Sequence, residues 1–289
     1  MRTRSAAVTA IITAAAVVVA GCAGPGPPPS RPRARPPSPP ATASPGGPAS
    51  PGPAAAPVAG VCGPPLAAGR LVTVHAPGRV RLAALTAGSG PRGVLLIPEL
   101  GRSGKCGWWD FAAYLAANGY RVLAFDHRCT GESSCPSGPA AGSLMPDIRA
   151  AASWLRRAGA ARVVLTGASQ GASEALIAAT RPPPGVTAVV SLSADELTTA
   201  LAARPYPVTA TAAAPRLARP ALFAVAAADP YVGVPATRRL FAAARSGRSR
   251  LVVLGPGAGH GWDLVRPDQP GAARPPLAAT ILAFLRAMT

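Results

Sequence analysis

Lysine is almost missing from this chain of 289 residues: Lys105 is the only one, so arginine carries nearly all of the 29 basic charges. Acidic residues number 11, aromatics make up 4% and histidines number three. Each scarcity closes something off. Three histidines far apart in sequence, His75, His127 and His260, form no cluster with metal-ligand spacing, so no metal is expected. No glycine-rich phosphate loop or dinucleotide fingerprint occurs, so no cofactor is expected either. The formal net charge of +18 invites a nucleic-acid reading. Yet the arginines are scattered along the chain, never more than two together, without lysine runs, interleaved aromatics, or zinc-finger or helix-turn-helix spacing. They read as solvated surface charge, better suited to an anionic envelope than to DNA or RNA.

Long hydrophobic runs are missing too. The uncharged stretch 5–20 is too short to span a bilayer comfortably. With Arg2 and Arg4 before it and Val19-Ala20-Gly21-Cys22 closing it, residues 1–21 read as an export signal. The small residues before Cys22 resemble the lipobox of bacterial lipoproteins, which implies cleavage before Cys22 and lipidation of its thiol. The expected location is the outer face of the cell membrane, held there through acyl chains. From Ala23 to Pro57 there is no Val, Ile, Leu, Met or aromatic residue, and 14 of residues 22–60 are proline. Such a segment has no apolar area to offset its ordering entropy, so 22–59 is expected to be a disordered, semi-rigid tether.

Residues 60–289 are enough for one large core. Apolar or β-branched runs predict strands at 70–76, 80–86, 93–98, 121–126, 162–167, 186–192, 220–226 and 250–255. Helical patterns follow at 108–118, 144–158, 171–181, 234–245 and 273–287. A hairpin followed by strand-helix repeats predicts an α/β fold, with a mostly parallel sheet covered on both faces.

The chemistry is expected where the strand 162–167 runs into Gly167-Ala168-Ser169-Gln170-Gly171 and then into a helix. This is a G-x-S-x-G pattern in strand-turn-helix context, where glycines permit a turn tight enough to expose the serine. Serine needs a base. His260, in a glycine-rich loop after the last strand, is the candidate; His75 reads as an edge polar residue and His127 as a loop residue. Asp229, after the strand 220–226, completes the chain order Ser, Asp, His, with Asp195 and Glu196 as rivals for orienting the imidazole.

These motifs, with Val94 to Gly101, Trp109 to Ala117 and Gly119 to Asp126 in the familiar order, resemble the α/β-hydrolase superfamily. The likeness is to lidless esterases and dienelactone hydrolases and covers nearly all of 60–289. Asp126-His127-Arg128-Cys129-Thr130-Gly131-Glu132-Ser133 matches the family's D-x-R-G-x-G-x-S loop, except that Cys129 replaces a glycine. The resemblance implies an eight-stranded sheet with one antiparallel strand. About 27 residues between Leu192 and Pro220 leave no room for a large cap domain. It also implies hydrolysis of an acyl ester, small or lipid-like, through an acyl-Ser169 intermediate, with the backbone N–H groups of Leu100 and Gln170 as oxyanion hole. One departure stands out: Pro98-Glu99 replaces His-Gly, and the Glu99 carboxylate opposes developing negative charge unless it points away or pairs with Arg102 or Arg128. Inactive binding modules, exported peptidases and acyltransferases share the fold and remain alternatives.

Trp108, Trp109, Tyr231 and Trp262 lie near the site loops in sequence and could line an apolar pocket or pack in the core. Four cysteines besides Cys22 imply two disulfides with three possible connectivities. In the fold that the resemblance implies, Cys106 is expected to bond Cys129 or Cys135, and Cys62 the other. A monomer is expected.

Overall fold

The computed structural model describes Cys62 and residues 69–101, 104–137, 144–195, 208–267 and 275–289. The signal, Cys22 and the tether expected over 1–59 lie outside the described residues, as do Arg102 and Glu196. Eight strands form one sheet in the order β1-β2-β4-β3-β5-β6-β7-β8. They are β1 Arg70–Ala76, β2 Val80–Ala87, β3 Arg92–Ile97, β4 Arg121–Phe125, β5 Arg162–Ala168, β6 Val186–Leu192, β7 Ala221–Ala226 and β8 Arg250–Leu254. β2 runs antiparallel to both neighbours, and all other pairings are parallel. The helices are α1 Trp109–Ala117, α2 Met145–Arg157, α3 Gln170–Thr180, the single turn α4 Ala210–Ala213, α5 Val234–Ala243 and α6 Pro276–Met288.

Successive strand residues serve opposite faces, which gives the sheet two cores. Leu95, Ile97, Val163 and Leu165 pack with Ile148 and Leu155 of α2, Leu176 of α3 and Leu240 of α5. Val94, Leu96 and Val164 pack with Phe111 and Leu115 of α1 and Ile281 and Leu285 of α6. Cover on both faces is why the central strands are apolar at nearly every position. α1 ends in a Schellman pair, Tyr120 N–H donating to the Leu115 carbonyl and Gly119 N–H to that of Ala116, which turns the chain into β4. Among the described residues between β6 and β7 there are only α4 and a 3-10 turn, Ala214–Arg216.

The disulfides differ from the expected crossing. Cys62 bonds Cys106, with Cα atoms 4.9 Å apart, and Cys129 bonds Cys135, at 4.2 Å. The cause is a local fold-back: Cys129 takes a left-handed φ of 63°, and its N–H donates to the Ser134 carbonyl at 3.2 Å. That conformation is the one glycine adopts freely, so the substitution costs strain that the turn and its cross-link hold in place. The only lysine is buried nearby. Lys105 Nζ lies 2.7 Å from Asp126 and 2.8 Å from Glu132, and its N–H also bonds Asp126, at 2.8 Å. Burial alone would lower its pKa, but hydrogen bonds to Asp126 and Glu132 outweigh burial and raise it. This cluster ties the loop after β3 to the loop after β4.

Candidate active site

The strand order reverses beside β3, and in open parallel sheets the crevice beyond the carboxyl ends at such a point is where ligands bind. Ser169 sits there, between β5 and α3, at φ 49° and ψ −118°, a strained conformation for a residue with a side chain. Its two flanking glycines are dictated by contact. A Cβ on Gly167 would lie 2.0 Å from the Gly171 carbonyl oxygen, and one on Gly171 would lie 2.4 Å from those of Ile97 and Pro98. The first turn of α3 is thereby pressed against the end of β3, bringing Gln170 beside the Pro98-Glu99-Leu100 loop.

Asp229 follows β7, and its side chain is fully buried. Its carboxylate receives four groups. His260 Nδ1 lies 2.8 and 3.0 Å from the two oxygens, Ser193 Oγ donates at 2.7 Å, and the N–H groups of Tyr231 and Val232 donate at 3.0 and 2.9 Å. Burial works to raise its pKa, but the Ser193, Tyr231 and Val232 hydrogen bonds and the nearby His260 outweigh burial and hold the carboxyl below its ordinary range. Asp195, the rival acid, lines the pocket instead, while its backbone carbonyl accepts from Ser173 Oγ at 2.7 Å.

Ser169, Gln170 and His260 open onto one cavity of about 390 Å³. Glu99, Leu100, Asp195, Tyr231 and Val232 complete its described lining. Both candidate oxyanion donors, Leu100 and Gln170, are therefore at the pocket. The family model for the alpha/beta hydrolase fold matches residues 94–262, more than half of the chain. The chain belongs to the α/β-hydrolase fold family. None of the curated proteins compared with it matches. Among solved structures, this hydrolase-fold chain is similar to an esterase from Pyrococcus furiosus, at 17% identity and a TM-score of 0.63, covering 76% of this chain and 92% of that one. It is also similar to a Klebsiella pneumoniae protein assigned as a dienelactone hydrolase, at 19% identity and a TM-score of 0.57, covering 76% and 97%. A third is Est1E of Butyrivibrio proteoclasticus, solved with ferulic acid bound, at 14% identity and a TM-score of 0.58, covering 75% and 98%.

Within this hydrolase fold, two alternatives left open by the sequence are resolved. Of the four aromatics near the site, only Tyr231 lines the pocket, 80% exposed and edge-on to His260 with ring centroids 4.8 Å apart. Trp108, Trp109 and Trp262 are buried in the α1–α6 core, Trp108 and Trp262 meeting edge to face at 6.2 Å. The hydrophobic payload of an indole is better served there than at a wet pocket wall. Glu99, second, does not pair with Arg128, which is buried in an ion pair with Asp147. Instead Glu99 Oε2 accepts from the Trp262 N–H at 3.4 Å, against the backbone of Gly261. Burial pushes its carboxyl up to about 7, the Trp262 N–H opposing, Asp263 adding, Arg266 opposing and Asp229 adding.

Two contributors escaped the sequence reading. Ser193, fully buried and at φ 55°, donates to Asp229 and accepts from the Gly261 N–H at 3.1 Å, so it links the Asp229 loop to the His260 loop. His127, read as a loop residue, is buried with Nε2 3.3 Å from the Pro98 carbonyl and 3.4 Å from Glu174 Oε2. Glu174 Oε1 in turn accepts from the Gln170 side chain at 2.7 Å. This chain braces the Pro98 turn against the start of α3. A glutamate four residues after Gln170, on the same face of α3, was the available signal.

Proposed function

We propose that this domain is a serine hydrolase acting on carboxylic esters. The observation that carries the reading is the Asp229–His260 hydrogen bond at 2.8 Å, with His260 opening onto the same cavity as an elbow serine. Asp229 holds Nδ1 protonated, leaving Nε2 as the base. Ser169 Oγ attacks the ester carbonyl while His260 takes its proton, and the resulting oxyanion is met by the Leu100 and Gln170 N–H groups. Collapse expels the alcohol, which leaves with the proton from His260, and gives acyl-Ser169. Water, deprotonated by His260, then releases the carboxylic acid and restores Ser169. The Pyrococcus esterase named above supports an ester as substrate. For its location we propose export and lipid anchoring through Cys22; the Arg2/Arg4 n-region, the small residues before Cys22 and the proline-rich stretch support that reading.

A fluorophosphonate probe tests the chemistry. Native protein is expected to label at Ser169, and labelling is expected to vanish on denaturation or in Ser169→Ala. The Glu99 carboxylate at the pocket favours a second reading, a binding module without turnover. Native protein that neither labels nor cleaves short-chain or long-chain aryl esters would decide for it.

Ser193 acts as a positioning residue, through Asp229 and Gly261. Ser193→Ala is expected to lower kcat about tenfold, the worth of one buried charge-assisted hydrogen bond, with KM changed less than twofold by about the same reasoning. A matching rise in KM with kcat intact would count against this role.

A further inference from the structure

Resting on the ester-hydrolase reading, we propose that the pocket selects esters that carry a positively charged ammonium group, and that Glu99 is the residue that recognises it.

Three observations converge. The chain has 29 basic residues against 11 acidic ones, yet the described lining of the cavity holds two carboxylate residues, Glu99 and Asp195, and no arginine or lysine. Among the described residues no cation forms an ion pair with the Glu99 side chain; its hydrogen bond comes from the neutral Trp262 N–H, and the charge of Arg266 is opposed by those of Asp263 and Asp229. Tyr231 adds an aromatic ring, 80% exposed, on the same cavity, a surface that attracts cations through its electron-rich face.

The chemistry of the step explains why these features belong together. A carboxylate on the wall of the cavity that also holds Leu100, Ser169 and Gln170 raises the energy of an oxyanion formed at Ser169, because like charges repel. A neutral ester bears that penalty in full. An ester with an ammonium group in reach of Glu99 cancels it, and the attraction is retained as the oxyanion forms. Glu99 then acts as a selectivity filter: it disfavours anionic esters most, neutral ones less, and cationic ones least.

The charged groups acting on Glu99 are Asp263 and Arg266 after β8 and Asp229 after β7, and His260 and Asp195 line the same cavity. With its carboxyl raised to about 7, Glu99 is mostly protonated at pH 6 and mostly charged at pH 8. Preference for the cation is therefore expected to grow as pH rises through that window, by about the ionised fraction of one carboxyl. Comparing two esters at each pH removes any pH dependence of the catalytic steps that the two share.

The test uses isosteric pairs. On the acyl side, p-nitrophenyl γ-(trimethylammonio)butyrate is compared with its carbon isostere, in which tert-butyl replaces trimethylammonium. On the alcohol side, butyrylcholine is compared with its carbon isostere 3,3-dimethylbutyl butyrate. Each kcat/KM is normalised to the ester's alkaline hydrolysis rate. At pH 8 the cationic member of at least one pair is expected to win by about tenfold, the scale of one half-buried ion pair. That ratio should shrink at pH 6, should fall at least about fivefold in Glu99→Gln, and should be partly kept in Glu99→Asp. Ratios at or below unity in both pairs, or a ratio unmoved by Glu99→Gln, would overturn the proposal. The wild-type comparison needs no variant to fold. Protein that labels with fluorophosphonate but prefers the neutral isosteres removes this inference and leaves the hydrolase reading standing. Protein that neither labels nor turns over any ester removes both.

Discussion

His260→Ala is expected to lower kcat for an activated aryl ester by about 10⁴-fold, with Ser169→Ala at least as severe. The size follows from how the groups act together. Without the imidazole, Ser169 must lose its proton to water, and the Asp229 carboxylate, held charged by Ser193 and two backbone N–H groups, has nothing left to orient. Asp229→Asn is expected to cost about as much for a different reason: an amide in that place can donate to Nδ1 and so favours the wrong tautomer. Because the residues act as one unit, the Ser169→Ala/His260→Ala double variant should be no slower than Ser169→Ala alone. Whatever rate remains above solvent hydrolysis would come from the Leu100 and Gln170 donors. Steady-state kinetics decide the matter, with circular dichroism confirming that each variant is folded. Retention of a tenth of wild-type kcat by His260→Ala would show that another base serves Ser169.

Among the described glycines, Gly167→Ala is expected to be the most damaging replacement by alanine. The new Cβ would stand 2.0, 2.3 and 2.6 Å from Gly171 O, Gly171 C and Ala172 N, all of them backbone atoms at the start of α3. No rotamer relieves a clash between main chains, so α3 must lift from β5 or the strand must bend. A loss of about 3 kcal/mol or more is expected, the upper end for overpacking, which for a domain of this size lowers Tm by about 6–12 °C. Gly247→Ala is the matched control, since a Cβ there meets nothing within 4 Å. It should melt within about 2 °C of wild type. A Gly167→Ala protein as stable as that control would mean that the elbow is far looser than its contacts imply.

Much of this architecture is legible in the amino-acid sequence, and the reason is visible in particular residues. Every predicted strand is present, β3 and β5 because Val94 to Ile97 and Val163 to Leu165 are apolar on both faces, a pattern only a doubly covered strand requires. The placement of Ser169, Asp229 and His260 was legible for a related reason. Each follows a strand, and parallel strands deliver their carboxyl ends to one edge. What stayed hidden depends on the direction of a side chain or on the shape of a loop. Sequence spacing could not show that Trp262 turns inward onto Trp108, or that Glu99 folds against Gly261 instead of reaching Arg128. The pairing of Cys129 with Cys135 was hidden in the same way, because it follows from one left-handed residue. Ser193 carried no signal beyond its position after β6, since a buried serine looks like any small residue until its two partners are seen.

The Cys62–Cys106 bond also determines how the domain responds to tension. β1 is the edge of the sheet, attached on one side only, and a pull along the chain from its amino-terminal end would ordinarily unzip it from β2 one pair at a time. With Cys62 fastened to Cys106, the load bypasses that edge and enters at the 3-10 segment Gly104–Trp108, which is held by Lys105 to Asp126 and by Trp108 in the core. A force on the leading segment is thus delivered next to the loop that carries Glu99 and Leu100, and the edge hairpin is spared it.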